Sequence, residues 1–404
     1  MTEALPGPSA PSPGAPLRSP LGSNLDGVRQ HNLGTVLRLV HGTPGRSRSE
    51  LTRVTGLSRS TIGALVSELS ALGLVKEEEP REPTGVGRPS PIVVANPDVV
   101  VVTVNPEIDG VVVGVVGLDG TVHRRARHTT DAPPTAPEAA RIVADQLEGL
   151  ATPSGTGLRV AGVGAAVPGS VRVADGVVRM APHLEWVDEP FAALLEEATG
   201  LKALVANDAS LGANAEHLFG AGRGIDDLVY FNGGAGGIGG GVITHGRPLA
   251  GSSGYAGELG HMLVNSAGDR CHCGAVGCLE TEVSQARLRD ALGVDDLEAA
   301  SVDAEPLDAA SRREVERQLG YLAIAIRNAV NVLNPRRVVL GGFLGALLGL
   351  DPALLDAEVR AQSLAASAEQ VEVVRAELGA AVLTVGAAEL AFTRLIADPI
   401  ALQR

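Results

Sequence analysis

Apolar positions recur along this chain with two different periods, and the change from one to the other divides it. Residues 1–23 have no period: Pro, Ser, Gly and Ala leave almost nothing to bury, which predicts a disordered arm. From Asn24 the spacing is helical, with Leu33, Val36, Leu37 and Val40 on one face. Ser47 and Glu50 form a capping-box pattern that opens a second helix, burying Leu51 and Val54 and stopping at Gly56. Ser58 predicts the cap of a third, with Ile62, Leu65, Val66 and Leu69 inward and an end at Leu72 and Gly73. Residues 74–75 and 92–94 read as two strands joined by a polar hairpin. Beyond Pro97 the alternation becomes that of strands: 99–104, 111–116 and 121–127 predict a meander, 136–150 a helix and 160–167 a strand. A helix at 190–199 and a strand at 203–206 follow, and that strand delivers Asn207 and Asp208 to the start of a helix running to Phe219. A second run opens at 228–231 and continues through a glycine-rich turn at 233–241. It closes with a long helix at 312–333, a strand at 337–340 and a helix at 378–395. The expected domains are therefore 24–97 and 98–404, the latter in two lobes, 98–225 and 226–404.

Helix, glycine turn and helix, followed by two strands, describe a winged helix-turn-helix whose second motif helix enters the major groove N-terminus first. Arg59, Ser60 and Thr61 stand at that leading end, and Arg88 at the returning end of the wing is placed to reach a phosphate or the minor groove. A helical hairpin used for dimerisation is the alternative. The net charge of −14 argues against nucleic acid until its distribution is seen. Residues 1–97 hold ten Lys and Arg against eight Asp and Glu, and the remainder holds 23 against 39. Any DNA contact must therefore come from the first hundred residues.

All three cysteines, Cys271, Cys273 and Cys278, fall within eight residues, with turn glycines at Gly274 and Gly277 and His261 ten residues upstream. Thiolate and imidazole suit zinc, and three cysteines with one histidine close a tetrahedron and leave no position for water, so the site is expected to be structural. His272 competes with His261 for the fourth place; His261 is preferred because it stands beside Glu258. Aromatic residues make up only 2% of the 404, so the cores must be built from Val, Leu and Ala. With no signal peptide, no apolar run approaching the ~18 residues that cross a bilayer, and reduced thiols, a cytoplasmic protein is expected.

E-L-G-H-M at 258–262 followed by C-x-C-G-x-x-G-C-L-E at 271–280 resembles the signature of the ROK family of repressors and sugar kinases. S-R-S-E-L and T-G-L-S-R-S-T at 47–61 are similar to the wording of its regulators. The resemblance implies an α/β protein: a winged helix-turn-helix, then a bilobal actin-like, hexokinase-type (ribonuclease H-like) domain with a structural zinc beside a sugar cleft. Asn207, Asp208, Glu258, His261 and Glu280 match the family's sugar-binding positions, Asp208 standing where a kinase keeps its general base. The residues support this independently, since carboxylates and amides suit vicinal hydroxyls and a strand-to-helix junction is expected to hold Asp208 ionised. His261 then turns one ring nitrogen to zinc and the other to sugar.

Two departures bear on function. The kinases' D-x-G-G-T-K phosphate turn is replaced by residues 105–110, where Pro106 has no amide to donate and Glu107 and Asp109 repel a triphosphate. His183 stands where the family commonly has a sugar-contacting asparagine. The expectation is a repressor that binds a double-stranded DNA operator as a homodimer or homotetramer and senses a sugar or sugar derivative, without kinase activity. A sugar kinase carrying a DNA-binding domain is the rival, and a zinc-stabilised scaffold with neither ligand a third reading.

Overall fold

The computed structural model describes residues 25–79, 91–150, 157–234, 236–295, 297 and 307–400. Helix α1 (Leu25–Val40) buries Leu33, Val36, Leu37 and Val40, and α2 (Arg48–Thr55) opens on the full Ser47–Glu50 capping box and stops at Gly56, whose φ of 71° is left-handed. Helix α3 (Arg59–Ala71) is capped by Ser58 and turns Ile62, Leu65, Val66 and Leu69 inward. One expectation fails here: Val54 is 48% exposed, because the eight-residue α2 is barely two turns long and meets its neighbours through Leu51. The wing has three strands, β1 (Arg46–Ser47), β2 (Val75–Glu78) and β3 (Ile92–Ala95), in the antiparallel order β1-β3-β2. At two residues β1 is too short to leave a pattern in sequence. The wing tip, with Arg88, lies outside the described residues.

The remainder is two five-stranded sheets of matching topology. The first contains β4 (Val99–Glu107), β5 (Gly110–Gly117), β6 (Val122–Thr129), β7 (Arg159–Val167) and, after a small three-stranded flap, β11 (Ala203–Asn207). The flap is β8 (Ser170–Arg172), β9 (Val177–Ala181) and β10 (Trp186–Glu189). The second contains β12 (Leu228–Gly234), β13 (Gly237–Thr244), β14 (Arg247–Pro248), β15 (Arg337–Gly342) and β16 (Glu372–Arg375). Each begins as an antiparallel meander and ends with two parallel strands, in the orders β11-β7-β4-β5-β6 and β14-β13-β12-β15-β16. The helices are α4 (Ala136–Leu150), α5 (Phe191–Thr199), α6 (Asp208–Phe219), α7 (Leu279–Glu282), α8 (Gln285–Leu292) and α9 (Ala309–Leu333). After them come α10 (Phe343–Leu350), α11 (Pro352–Gln362), α12 (Ala365–Ala368) and α13 (Val382–Ala397).

The closing helix corrects two sequence expectations. By sequence α13 belongs to the second lobe, yet in space it packs on α6, β7 and β4 of the first. The segment Gly379–Ala397 is also long and apolar enough to cross a membrane by length and composition, with a mean hydropathy of 1.6, contrary to the expectation that no apolar run approaches that length. Here that apolar surface is used internally. Ala388, Ala391, Phe392, Leu395 and Ile396 share one core with Leu33, Val36, Leu37 and Val40 of α1 and with Val99, Val101 and Leu118 of the first sheet. The winged helix is thus joined to the first lobe through a common core, not only through the chain at Pro97.

Candidate functional site

The ends of β7, β11 and β12 meet at one cleft. Strand β11 runs straight into α6, so Asn207 is at once the last strand residue and the helix N-cap: its Oδ1 accepts from Ser210 N (2.9 Å) and its Nδ2 donates to the Gly169 carbonyl (3.1 Å). Asp208 follows in the first turn, accepting from Ala209 N at 2.7 Å. From the other lobe, Glu258 and His261 bracket a short 3-10 turn, and Glu280 sits in α7. All five line one cavity of about 550 Å³, with His183, His272, Asn232 and the glycine turn between β12 and β13. A second hollow of about 320 Å³ continues past Glu280 and His272 to Ser284 and Arg289.

Burial changes the chemistry expected of Asp208. A helix N-terminus alone would hold the carboxylate ionised, but burial pushes it up to about 6, the Ala209 amide opposing and the charge of Glu258 adding to the rise. Burial also lifts Glu258, with His261 opposing and Glu280 reinforcing. The Asp208 and Glu258 carboxyls thus both hold a proton more tightly than usual, a lining that suits hydroxyl groups.

Beside the cleft, the Cys271 Sγ to His261 Nδ1 distance is 3.6 Å and the Cys273 Sγ to Cys278 Sγ distance is 3.7 Å. These match the edges, about 3.6 and 3.8 Å, of a tetrahedron with Zn–N and Zn–S bonds of ordinary length. The four residues form one ligand-capable group. Gly277 makes the knot possible: at a φ of 74° it packs on the Asn265 carbonyl, where a side chain has no room. His261, His272 and Glu280 form a second group, but it draws on the same histidine. His272 turns its Nδ1 to Glu280 at 3.0 Å, while His261 Nδ1 lies 3.6 Å from Cys271 Sγ and 3.4 Å from Glu280 Oε1.

The position of the kinase phosphate turn is closed. Strands β4 and β5 pair up to Glu107 opposite Gly110, leaving only Ile108 and Asp109 at the tip, with Pro106 inside the ladder. Glu107 and Asp109 are not bare charges, as the sequence reading had them: both pair with Arg127 of β6. The tip is thus a tight hairpin tied by Arg127, with no amide at Pro106 to donate.

In the winged helix, Arg59, Ser60 and Thr61 open α3 and face solvent more than core. The Ser60 and Thr61 hydroxyls lie 2.9 and 2.8 Å from Ser58 Oγ, so part of their hydrogen-bonding capacity is spent on the cap. Cleft residues to which the sequence assigned no role include Gly169, Ser170, Met180 and Asn232. Asn232 had a signal, since it opens the N-G-G-A-G-G run; Met180 had none, because a flap strand reveals its neighbours only when folded.

A winged helix on a two-lobed, hexokinase-like domain with a cleft between matching sheets defines the class. The chain belongs to the ROK family, whose model matches residues 108–394, and a MarR family model matches residues 34–83. The "Xylose repressor" of Caldicellulosiruptor bescii is 27% identical over 347 residues, covering 79% of this chain and 86% of that relative. The "Glucokinase" of Thermotoga maritima is 33% identical over 250 residues, 57% of this chain and 77% of that enzyme. A solved "ROK family transcriptional regulator, homolog of E. coli MLC protein" superposes with a TM-score of 0.75 at 25% identity, covering 93% of this chain and 98% of that one. The solved regulator covers 93% of this chain and the glucokinase 57%.

Proposed function

We propose that this protein is a DNA-binding transcriptional repressor whose cleft takes a sugar or sugar derivative as effector and which does not phosphorylate it. One observation carries this reading: the winged helix shares a core with the lobe that holds Asn207 and Asp208, while the phosphate turn of a kinase is replaced by a tight hairpin tied by Arg127. Helix α3 presents Arg59, Ser60 and Thr61 to the major groove, with Arg88 of the wing on the backbone. A cytoplasmic homodimer or homotetramer supplies the paired half-sites, about 34 Å apart. Asn207, Asp208, Glu258, His261 and Glu280 hold the effector. His261, Cys271, Cys273 and Cys278 hold a structural zinc, which fixes the orientation of His261; no step of effector binding passes through the metal itself.

The kinase reading keeps one support, because a buried carboxylate near 6 at Asp208 suits a general base at neutral pH. An ATP-consumption assay with a sugar panel separates the two. The repressor consumes no ATP with any sugar. Sugar-dependent turnover abolished by Asp208→Asn would establish the kinase instead.

A further inference from the structure

Helix α6 has its ends in two different places. Its N-terminal end is in the cleft, where Asn207 caps it and Asp208 lines the cavity. Its last residue, Phe219, meets the DNA-binding domain: the ring stands edge-on to His41, centroids 6.2 Å apart at 89°, and abuts Gly42 so closely that a side chain there has no room. Twelve residues at 1.5 Å each make a rod of about 18 Å between the two. Along its length the rod is wedged against α13, where Gly386 admits the Leu211 carbonyl to backbone contact.

His41 is gripped from the other side by the same α13. Both Glu389 carboxylate oxygens lie 2.9 Å from Nε2, the Leu118 carbonyl lies 2.5 Å from Nδ1, and the Phe392 ring is 5.5 Å away. The side chains of His41 and Glu389 are only 7% and 6% exposed. Carbonyl and carboxylate can only accept, so the ring satisfies both neighbours as an imidazolium, with its orientation fixed. Nearby, Gly34 of α1 rests on the Ile396 carbonyl, a second place where the domain and α13 touch backbone to backbone.

We propose that His41 is a positioning residue: with Phe219 it seats the winged helix on the far end of α6, so that displacement of Asn207 and Asp208 in the cleft reaches α1 as movement of a rod. A winged helix that shares its core with the first lobe takes its orientation from the elements on which it is seated. The proposal rests on the effector reading of the cleft only for what moves the rod; the mechanical link belongs to the ligand-free protein.

Amide hydrogen exchange on the full chain tests the link without effector or operator. Asn207→Ala loosens the cleft end of α6, and exchange is compared at residues 208–212, 36–42 and, as a control, in α9, in the wild-type, Phe219→Leu and Phe219→Tyr backgrounds. Uncapping is expected to raise exchange at 208–212 and, by about fivefold, at 36–42. In Phe219→Leu the rise at 36–42 falls below about twofold while that at 208–212 persists, and Phe219→Tyr, which keeps the ring, restores it. A rise confined to 208–212 in the wild-type background, one equally large at 36–42 in all backgrounds, or one that spreads to α9 overturns the proposal. If Phe219→Leu does not fold, Glu389→Gln, which weakens the grip on His41, takes its place with the same expectations.

Discussion

Asp208 combines a cost with a use. Its folded carboxyl, pushed up to about 6 by burial, binds a proton more tightly than in the unfolded chain, so its charge destabilises the ligand-free protein as pH rises from about 4 through 6. Asp208→Asn is expected to raise stability by roughly 1–3 kcal/mol at pH 7 and by little at pH 4, while weakening the sugar response. Urea unfolding at both values checks the first part, and calorimetric sugar titration the second. His41 behaves in the opposite sense. Burial opposes its charge, but Glu389, the Leu118 carbonyl and the more distant Asp119 outweigh burial and hold it above the ordinary histidine value. Its pairing with Glu389 therefore contributes fully below pH 6.5 and is lost as pH rises through the elevated folded value; a His41→Asn variant should show a flatter stability profile between pH 6 and 9. At the metal corner, Cys273→Ser should drop zinc stoichiometry from near one to near zero and disturb the cleft through His261. Full retention of metal would contradict the ligand assignment.

At the scale of elements, the patterns that carried information were local ones. The capping box at Ser47 and Glu50, the cap at Ser58, the Asn207 junction and the closely spaced cysteines each specify geometry within a few residues, and all are where their chemistry puts them. What sequence could not supply was the partner of each surface. Val54 has helical spacing but nothing to cover it, β1 forms only because β3 lies alongside, and α13 reads like any apolar helix until the first sheet is there to receive it. Likewise the pairing of Glu107 and Asp109 with Arg127 depends on strand register across β5, which residue types alone do not fix. The capping box offers a direct test. Ser47→Ala removes one of its two reciprocal bonds at the entry to the motif and should cost about 0.5–2 kcal/mol. Thermal melts of the intact protein check this.

Over the whole molecule, two lobes of matching topology line the cleft, and among the described residues the winged helix shares its core with the first of them. On the function proposed above, an effector that draws the lobes together would change the orientation of the first lobe, with its winged helix, against the second. In a dimer whose recognition helices must hold a fixed spacing, that motion needs only a few kcal/mol of differential affinity to shift the DNA-bound population. The measurement that tests this most directly is a fluorescence-anisotropy titration of the full chain on DNA from immediately upstream of its own gene, at fixed salt, with and without a panel of sugars and sugar phosphates, and with Arg59→Ala as control. Tight, sequence-dependent binding is expected, weakened by Arg59→Ala and shifted by one sugar in the absence of ATP. Specific binding that no sugar shifts, or binding indifferent to both DNA sequence and Arg59, would contradict it.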